Sequence, residues 1–382
     1  MLDSSKERGL QALDYLATAS VAALLFFVGS GCASLGPKTV LWERTEYNLA
    51  IQETEDAQLL LNLVRLKYRD TPIFLELSSI SSQSSLETGL GTGDSLAEVT
   101  GSTVTWKVGP TLLFSTQPTI TYTPFQGERF ANQILAPIKI ETLMLLYRSG
   151  WPLRRVLLLG AQRLNRVENA VRASGPTPGK APGYESFARV VDLMVELNQE
   201  GLLDIVYETP PTATDQVRIA LRVDPRAFPL PKTQELLKLL DLVPDKQHYA
   251  ITYQIVEHGA APELDHLEVE TRSLLGMLFF LSQAVDVPQA DVKGGLATTT
   301  MTEDGSVFDW KRVTGEMLQV KSSPSHPEAA AVSVEYRGSW FYIDDADLRS
   351  KSTFSLLMQL VALQSGETRG LTPVVTLPVG KP

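Results

Sequence analysis

The chain has 382 residues, 34 Lys and Arg against 44 Asp and Glu, a formal net charge of −10 and a single cysteine. Hydrophobic residues make up 43% and charged residues 20%, enough aliphatic material for a packed core and too much for disorder throughout. The acidic balance argues against a broad basic surface for nucleic acid, and one cysteine leaves no intramolecular disulfide, Cys-rich zinc site or Cys-x-x-Cys redox pair.

At the N-terminus Lys6 and Arg8 precede an apolar run from Tyr15 to Val28, then come Gly29, Ser30, Gly31 and Cys32. A charged segment, a short apolar segment and small residues describe a secretory signal. With the lone cysteine directly behind, the segment resembles a bacterial lipoprotein signal, Ser30, Gly31 and Cys32 matching the last three lipobox positions. The resemblance stops at Cys32 and implies nothing about the mature fold. It implies a diacylglyceryl thioether on the Cys32 sulfur, cleavage after Gly31 and acylation of the new amino group. A thiolate is the fitting nucleophile for that transfer, and several acyl chains anchor stably at about 0.8 kcal/mol per buried CH₂. Ala33 in place of Asp implies an outer-membrane destination, the body facing the periplasm. The residues leave two other readings open. Tyr15 to Pro37 is uncharged and reaches the roughly 20 residues that span a bilayer, which would make an uncleaved anchor; Cys32 could also be a buried structural thiol.

The mature chain divides on composition into an N-terminal region over 32–172, a Pro/Gly-rich linker or loop over 173–183 and a C-terminal region over 184–382, behind a signal peptide over 1–31. The spacing predicts a helix over 54–69 with a stripe of Leu60, Leu61, Val64 and Tyr68, basic residues Arg65, Lys67 and Arg69 at its end, and a stop at Asp70-Thr71-Pro72. A strand follows over 73–77, then a Ser/Gly-rich stretch to Ser95. Residues 99–123 alternate with period two: Val104, Trp106, Val108, Leu112, Phe114, Ile120 and Tyr122 fall on even positions. Pro118 and Pro124 limit these strands or put them at an edge.

A helix over 128–148 is interrupted at Pro137 and ends at Gly150, and an apolar run begins at Val156. Phe187, Val190, Val191 and Met194 give a second amphipathic helix ending before Gly201. Strands are expected over 203–207, 216–223 and 249–256, with a helix over 233–242. A short buried helix follows over 271–284, then strands over 307–320 and 332–343. The last helix carries Phe354, Leu357, Met358 and Val361 as its stripe. Helix, glycine and apolar strand follow one another at Gly150, Gly201 and Gly366, the trace of a repeat or ordinary joining.

Catalytic motifs are sparse. There is no Gly-x-Ser-x-Gly elbow, no Walker A loop and no His-Glu-x-x-His. Gly89, Gly91 and Gly93 imitate a dinucleotide loop but precede strand in place of helix, so a phosphate would meet no helix N-terminus. His258 and His266 lie among Glu257, Glu263, Asp265, Glu268 and Glu270 without ligand spacing. His248 and His326 stand alone. Asp344, Asp345 and Asp347 suit the start of the last helix better than a cation, and Trp340, Phe341 and Tyr342 read as packing.

These readings amount to an α+β fold with antiparallel strands and packed helices in two subregions, and a site list whose one entry is lipid attachment at Cys32. No catalytic, cofactor or metal residue is assigned. The function expected is a lipid-anchored envelope protein that binds or scaffolds in a periplasmic or outer-membrane assembly, meeting the membrane through acylated Cys32 and a protein partner or further copies of itself, with no nucleic acid. The alternatives are an envelope enzyme with an unadvertised site, and a ring-forming export or pore component built on 99–123.

Overall fold

The computed structural model describes residues 45–89, 98–100, 103–105, 111–175, 181–208, 218–253 and 264–366. Cys32, the Gly91–Gly93 loop, His258, Glu257 and Glu263 lie outside them. The chain falls into two units, Met1–Gln58 and Leu59–Pro382. In the first, the described residues 45–58 form the opening turns of helix α1 (45–67).

In the second unit the rest of α1 buries Leu60, Leu63 and Val64 completely. Arg69 takes a left-handed conformation (φ 62°) and ends the helix, and the Asp70 amide bonds the Arg65 carbonyl at 2.8 Å. Strand β1 (Leu75–Gly89) then leads through the short β2 (Glu98–Thr100) and β3 (Thr103–Thr105), which pair with each other, to β4 (Thr111–Pro124), which returns antiparallel along β1.

Next come α2 (Gly127–Phe130), continued by a π-helical turn over Ala131–Leu135, then α3 (Ile140–Arg148) and α4 (Leu153–Gly160). Gly150, at φ 95°, joins two helices, so the helix–glycine–strand pattern expected there is corrected: the residues after Pro152 have a free turn to start α4 and no strand partner. The chain proceeds through β5 (Ala161–Leu164), β6 (Val167–Glu168), a 3₁₀ turn (Val171–Ser174) and α5 (Glu185–Gln199) to β7 (Leu203–Glu208) and β8 (Arg218–Val223). Helix α6 (Pro231–Leu239), β9 (His248–Thr252), β10 (His266–Thr271) and α7 (Leu274–Ser282) complete this part.

Six of these strands make one sheet in the order β6-β5-β10-β9-β8-β7. All pairs are antiparallel except β9–β10, whose connection of about a dozen residues is the least a parallel return needs. Strands from both sides of 173–183 therefore share one sheet. Helix α5 packs on α4 and α6 and buries Phe187, Val190, Val191 and Met194, the predicted stripe. Helix α7 is apolar nearly all round and correspondingly buried, and the Ser273 hydroxyl caps it by accepting from the Gly276 amide at 3.0 Å. Among the described residues no helix is long and apolar enough to cross a membrane.

The C-terminal part holds α8 (Gln289–Lys293), α9 (Lys311–Thr314), a three-stranded sheet of β11 (Lys321–Ser323), β12 (Ala330–Tyr336) and β13 (Ser339–Asp344) in the order β11-β13-β12, and α10 (Leu348–Gly366). Strand was expected over 307–320. The helical α9 occupies its centre because the buried Trp310, Thr314, Met317 and Leu318 repeat at i, i+4, i+7 and i+8. Arg337 and Gly338, both at positive φ (52° and 76°), turn β12 into β13, as a two-residue hairpin of right-handed twist demands. Tyr336 and Arg337 donate to Asp70 Oδ2 at 2.5 and 2.9 Å, tying the hairpin tip to the end of α1.

Asp347 caps α10, its carboxylate accepting the Ser350 amide at 3.1 Å and the Ser350 hydroxyl at 2.6 Å. The buried face is Thr353, Phe354, Leu356, Leu357 and Leu360, while Met358 and Val361 are half-exposed. The predicted stripe was thus rotated by one position, because Ser350 and Thr353 occupy buried places that hydropathy assigns to solvent. Phe354→Ala should cost about 3–5 kcal/mol in denaturant unfolding. Asp345→Asn, which loosens only an exposed pair with Lys351, should stay within about 1 kcal/mol, with no dependence on chelator.

Candidate functional site

The described histidines are dispersed. His248 in β9 has Nδ1 2.8 Å from Glu208 Oε2. His266 in β10 sits between Asp265 and Glu268, each at 3.1 Å, and His326 lies edge-on to Trp340 with ring centroids 4.4 Å apart. The three acids before α10 diverge: Asp344 takes Lys321 at 2.9 Å, Asp345 takes Lys351, and Asp347 caps the helix. Among the described residues no group of three His, Cys, Asp or Glu side chains could hold a metal ion. Phe341 is core, as expected.

The hydrogen bond to Asp265, aided by Glu268, holds the His266 pKa above its ordinary 6.5. A folded-state pKa above the unfolded one stabilises below about pH 6.5 and loses that contribution as pH rises through the folded value. Asp265→Asn should lower the His266 titration midpoint in a proton NMR titration, and at alkaline pH the stability difference from wild type should fall to what the Lys246–Asp265 pair carries.

Two basic side chains that sequence reading passed over are buried. Lys67 was read as a dipole partner at the end of α1; it is 7% exposed. It lines a cleft of about 550 Å³ together with Gln283, Asp286, Thr300, Trp310 and Gln319. Its ammonium donates to Gln283 Oε1 at 3.4 Å, and burial pulls its pKa down to about 8 against the pull of Asp286. The Trp310 indole donates to Thr300 Oγ1 at 3.1 Å, which fixes that wall. The only clue in the sequence was position: Lys67 falls one residue after Leu66 and three after Val64, on the apolar side.

Arg272 is 1% exposed and, among the described residues, its hydrogen-bond partners are carbonyls and a hydroxyl, not carboxylates. Its guanidinium donates to the carbonyls of Leu158, Leu159 and Ala161 at 3.0–3.1 Å, to the Asn169 carbonyl and to the Ser174 hydroxyl. It also stacks over Phe280, 4.1 Å from the ring centroid. Burial lowers its pKa. This is a structural joint, with a cation at the C-terminal end of α4 where the helix dipole favours it.

The feature with the plainest functional content is the ribbon of β1 and β4, whose strands have 15 and 14 residues. The two pair with each other and, among the described residues, with no third strand. In the register Leu77, Ile80 and Leu86 stand opposite Tyr122, Ile120 and Phe114. The intervening positions Ser79, Ser81, Gln83 and Ser85 stand opposite Thr121, Thr119, Gln117 and Ser115. Ser82 and Ser84 stand opposite Pro118 and Thr116 in the same alternation as Ile80 and Leu86, so apolar and polar positions are mixed along the middle of the ribbon. The register shift between Leu77 and Ser79 is a bulge that keeps Leu77 and Ile80, three apart in sequence, on the same side. Leu75 is 40% exposed, and Ile120 and Tyr122 are 47% exposed.

The foot of the ribbon is fixed. The Asn62 amide of α1 gives to the Ile73 carbonyl at 2.7 Å and takes the Ile73 N–H at 2.9 Å, and Phe74 packs on Phe130 at 6.0 Å between centroids. The period-two pattern of 99–123 was legible. Its partner was not, because Ser78 to Ser85 is too polar to announce a strand.

No family model, curated protein or solved structure matches the chain.

Proposed function

We propose that this is a lipid-anchored envelope protein, tethered through acylated Cys32, with a scaffolding or binding role in a periplasmic or outer-membrane assembly. The observation that supports it best is the β1–β4 ribbon, two strands of 15 and 14 residues that, among the described residues, pair with no third strand. Unpaired N–H and C=O rows template further strands, and soluble proteins normally blunt them with charge or cover; β4 carries no charged residue. The lipobox-like signal supports the anchor, and a chain held at a membrane meets its partners there at raised effective concentration. Metabolic labelling with an alkynyl fatty acid should tag the wild type and not Cys32→Ser, and the variant should leave the membrane fraction. Equal labelling of both would refute the anchor.

A second reading, an enzyme or carrier of a small molecule, is favoured by the Lys67 cleft alone. Borohydride trapping of an added aldehyde on Lys67, found by peptide mass, would support it.

A further inference from the structure

We infer that the cleft lined by Lys67 binds a small organic monoanion, a carboxylate on an apolar body, whose oxygens take the Lys67 ammonium. The inference rests on the small-molecule reading of the cleft, deepens it by naming the ligand class, and is independent of the anchor at Cys32.

The cleft is held in shape by backbone bonds between the segments that form it: the end of α1, residues 283–287 behind α7, residues 298–300, and residues 307–319 around α9. The Thr298 amide donates to the Lys67 carbonyl at 3.0 Å, the Phe308 amide to the Thr300 carbonyl at 2.8 Å, and the Asp286 amide to the Val320 carbonyl at 2.8 Å. A site tied in this way needs no rearrangement to receive a ligand, and its volume of about 550 Å³ suits a small molecule.

The charge at its buried end is under-served. An ammonium has three N–H groups to give, and that of Lys67 has one acceptor among the described residues, Gln283 Oε1 at 3.4 Å, the far end of hydrogen-bond range. Asp286 attracts it without pairing with it, since that carboxylate reaches Lys311 at 3.4 Å and Gln319 at 3.5 Å. A buried cation without a countercharge is costly. A bound carboxylate supplies the acceptor and the charge in one group, whereas a neutral carbonyl supplies the acceptor alone. A dianion would find no second unpaired cation, because Lys311 is engaged with Asp286.

The walls fix the rest of the ligand. Val285, Phe308, Trp310 and Leu318 line the cleft and are buried, and the indole of Trp310 is held in place by its bond to Thr300. The side chains of Asp286 and Lys311, 42% and 59% exposed, mark the solvent side. An anion therefore enters with its carboxylate toward Lys67 and its apolar body along these walls.

The test uses the full chain purified in detergent. It is titrated calorimetrically at pH 7 with acetate, hexanoate, benzoate and indole-3-acetate, and with the amide of each. At least one of the three larger acids should bind, more tightly than acetate and at least about tenfold more tightly than its own amide, the worth of a hydrogen bond to a charged group. Lys67→Met keeps an apolar stem without the charge, and should lose that affinity by about tenfold or more while melting no lower than wild type. A second measurement needs no variant: the acid that binds should suppress labelling of Lys67 in the wild type by benzaldehyde and borohydride, read by peptide mass. Equal binding by wild type and Lys67→Met, or an amide bound as tightly as its acid, would overturn the anion site and leave a small-molecule cleft. Aldehyde labelling that no carboxylate suppresses would do the same. No binding by any member of the set together with no labelling of Lys67 would overturn the anion site and the small-molecule reading alike.

Discussion

Arg272→Met is expected to lower unfolding free energy by about 2–6 kcal/mol, at about 1–3 kcal/mol for each of two buried carbonyls left without a donor. The substitution keeps much of the apolar stem but withdraws every donor from the carbonyls of Leu158, Leu159, Ala161 and Asn169. Asn169 Nδ2 still serves Leu158 and Ala161, at 2.9 and 2.8 Å, so the orphaned groups are chiefly Leu159 O and Asn169 O. A buried unpaired carbonyl costs about 1–3 kcal/mol, and the lost stacking on Phe280 adds to that. Arg272→Lys should not rescue, because a point ammonium cannot span the fan of acceptors that a planar five-donor fork reaches. Urea denaturation of both variants measures this. A loss under about 1 kcal/mol in Arg272→Met would show that water replaces the guanidinium and that the joint is dispensable.

Lys67→Met should act in the opposite direction and raise stability at pH 7. The fall in the Lys67 pKa from 10.5 to about 8 corresponds to about 3 kcal/mol of penalty on the charged form. Loss of the contact with Gln283 returns about 1 kcal/mol of that. The sign with pH follows. Below pH 8 the amine is protonated in both states and the full penalty applies. Between pH 8 and 10.5 the unfolded chain binds the proton and the native chain does not, so wild-type stability climbs with pH. The gap between Lys67→Met and wild type should therefore shrink across that window and be nearly closed above it. Guanidinium melts of the pair from pH 7 to 10.5 check the prediction, and a variant less stable than wild type throughout would mean that the cleft depends on the ammonium.

Helices with one uninterrupted apolar stripe were readable, and α5 shows why: Phe187, Val190, Val191 and Met194 are both the pattern and the core. Reading failed where polar residues go inside. Thr314, Ser350 and Thr353 are buried, so hydropathy turned α9 into strand and rotated the face of α10. Lys67 and Arg272 follow the same rule in stronger form, since a basic side chain joins a core only where specific acceptors await it, and those acceptors come from residues 98–216 positions away. The ribbon was half-legible. Regular alternation over 99–123 disclosed β4, while pairing with a serine-rich partner is a property of backbone and register and leaves no hydrophobic trace.

The position of β5 in the six-stranded sheet bears on how such a chain is made. Its neighbour β10 begins about a hundred residues later in the sequence. During synthesis Ala161 to Leu164 must wait for that strand, and Leu158, Leu159 and Ala161 must wait for Arg272. The order of emergence thus postpones the cooperative collapse of this region until the C-terminal third is available, since contacts of such separation form slowly.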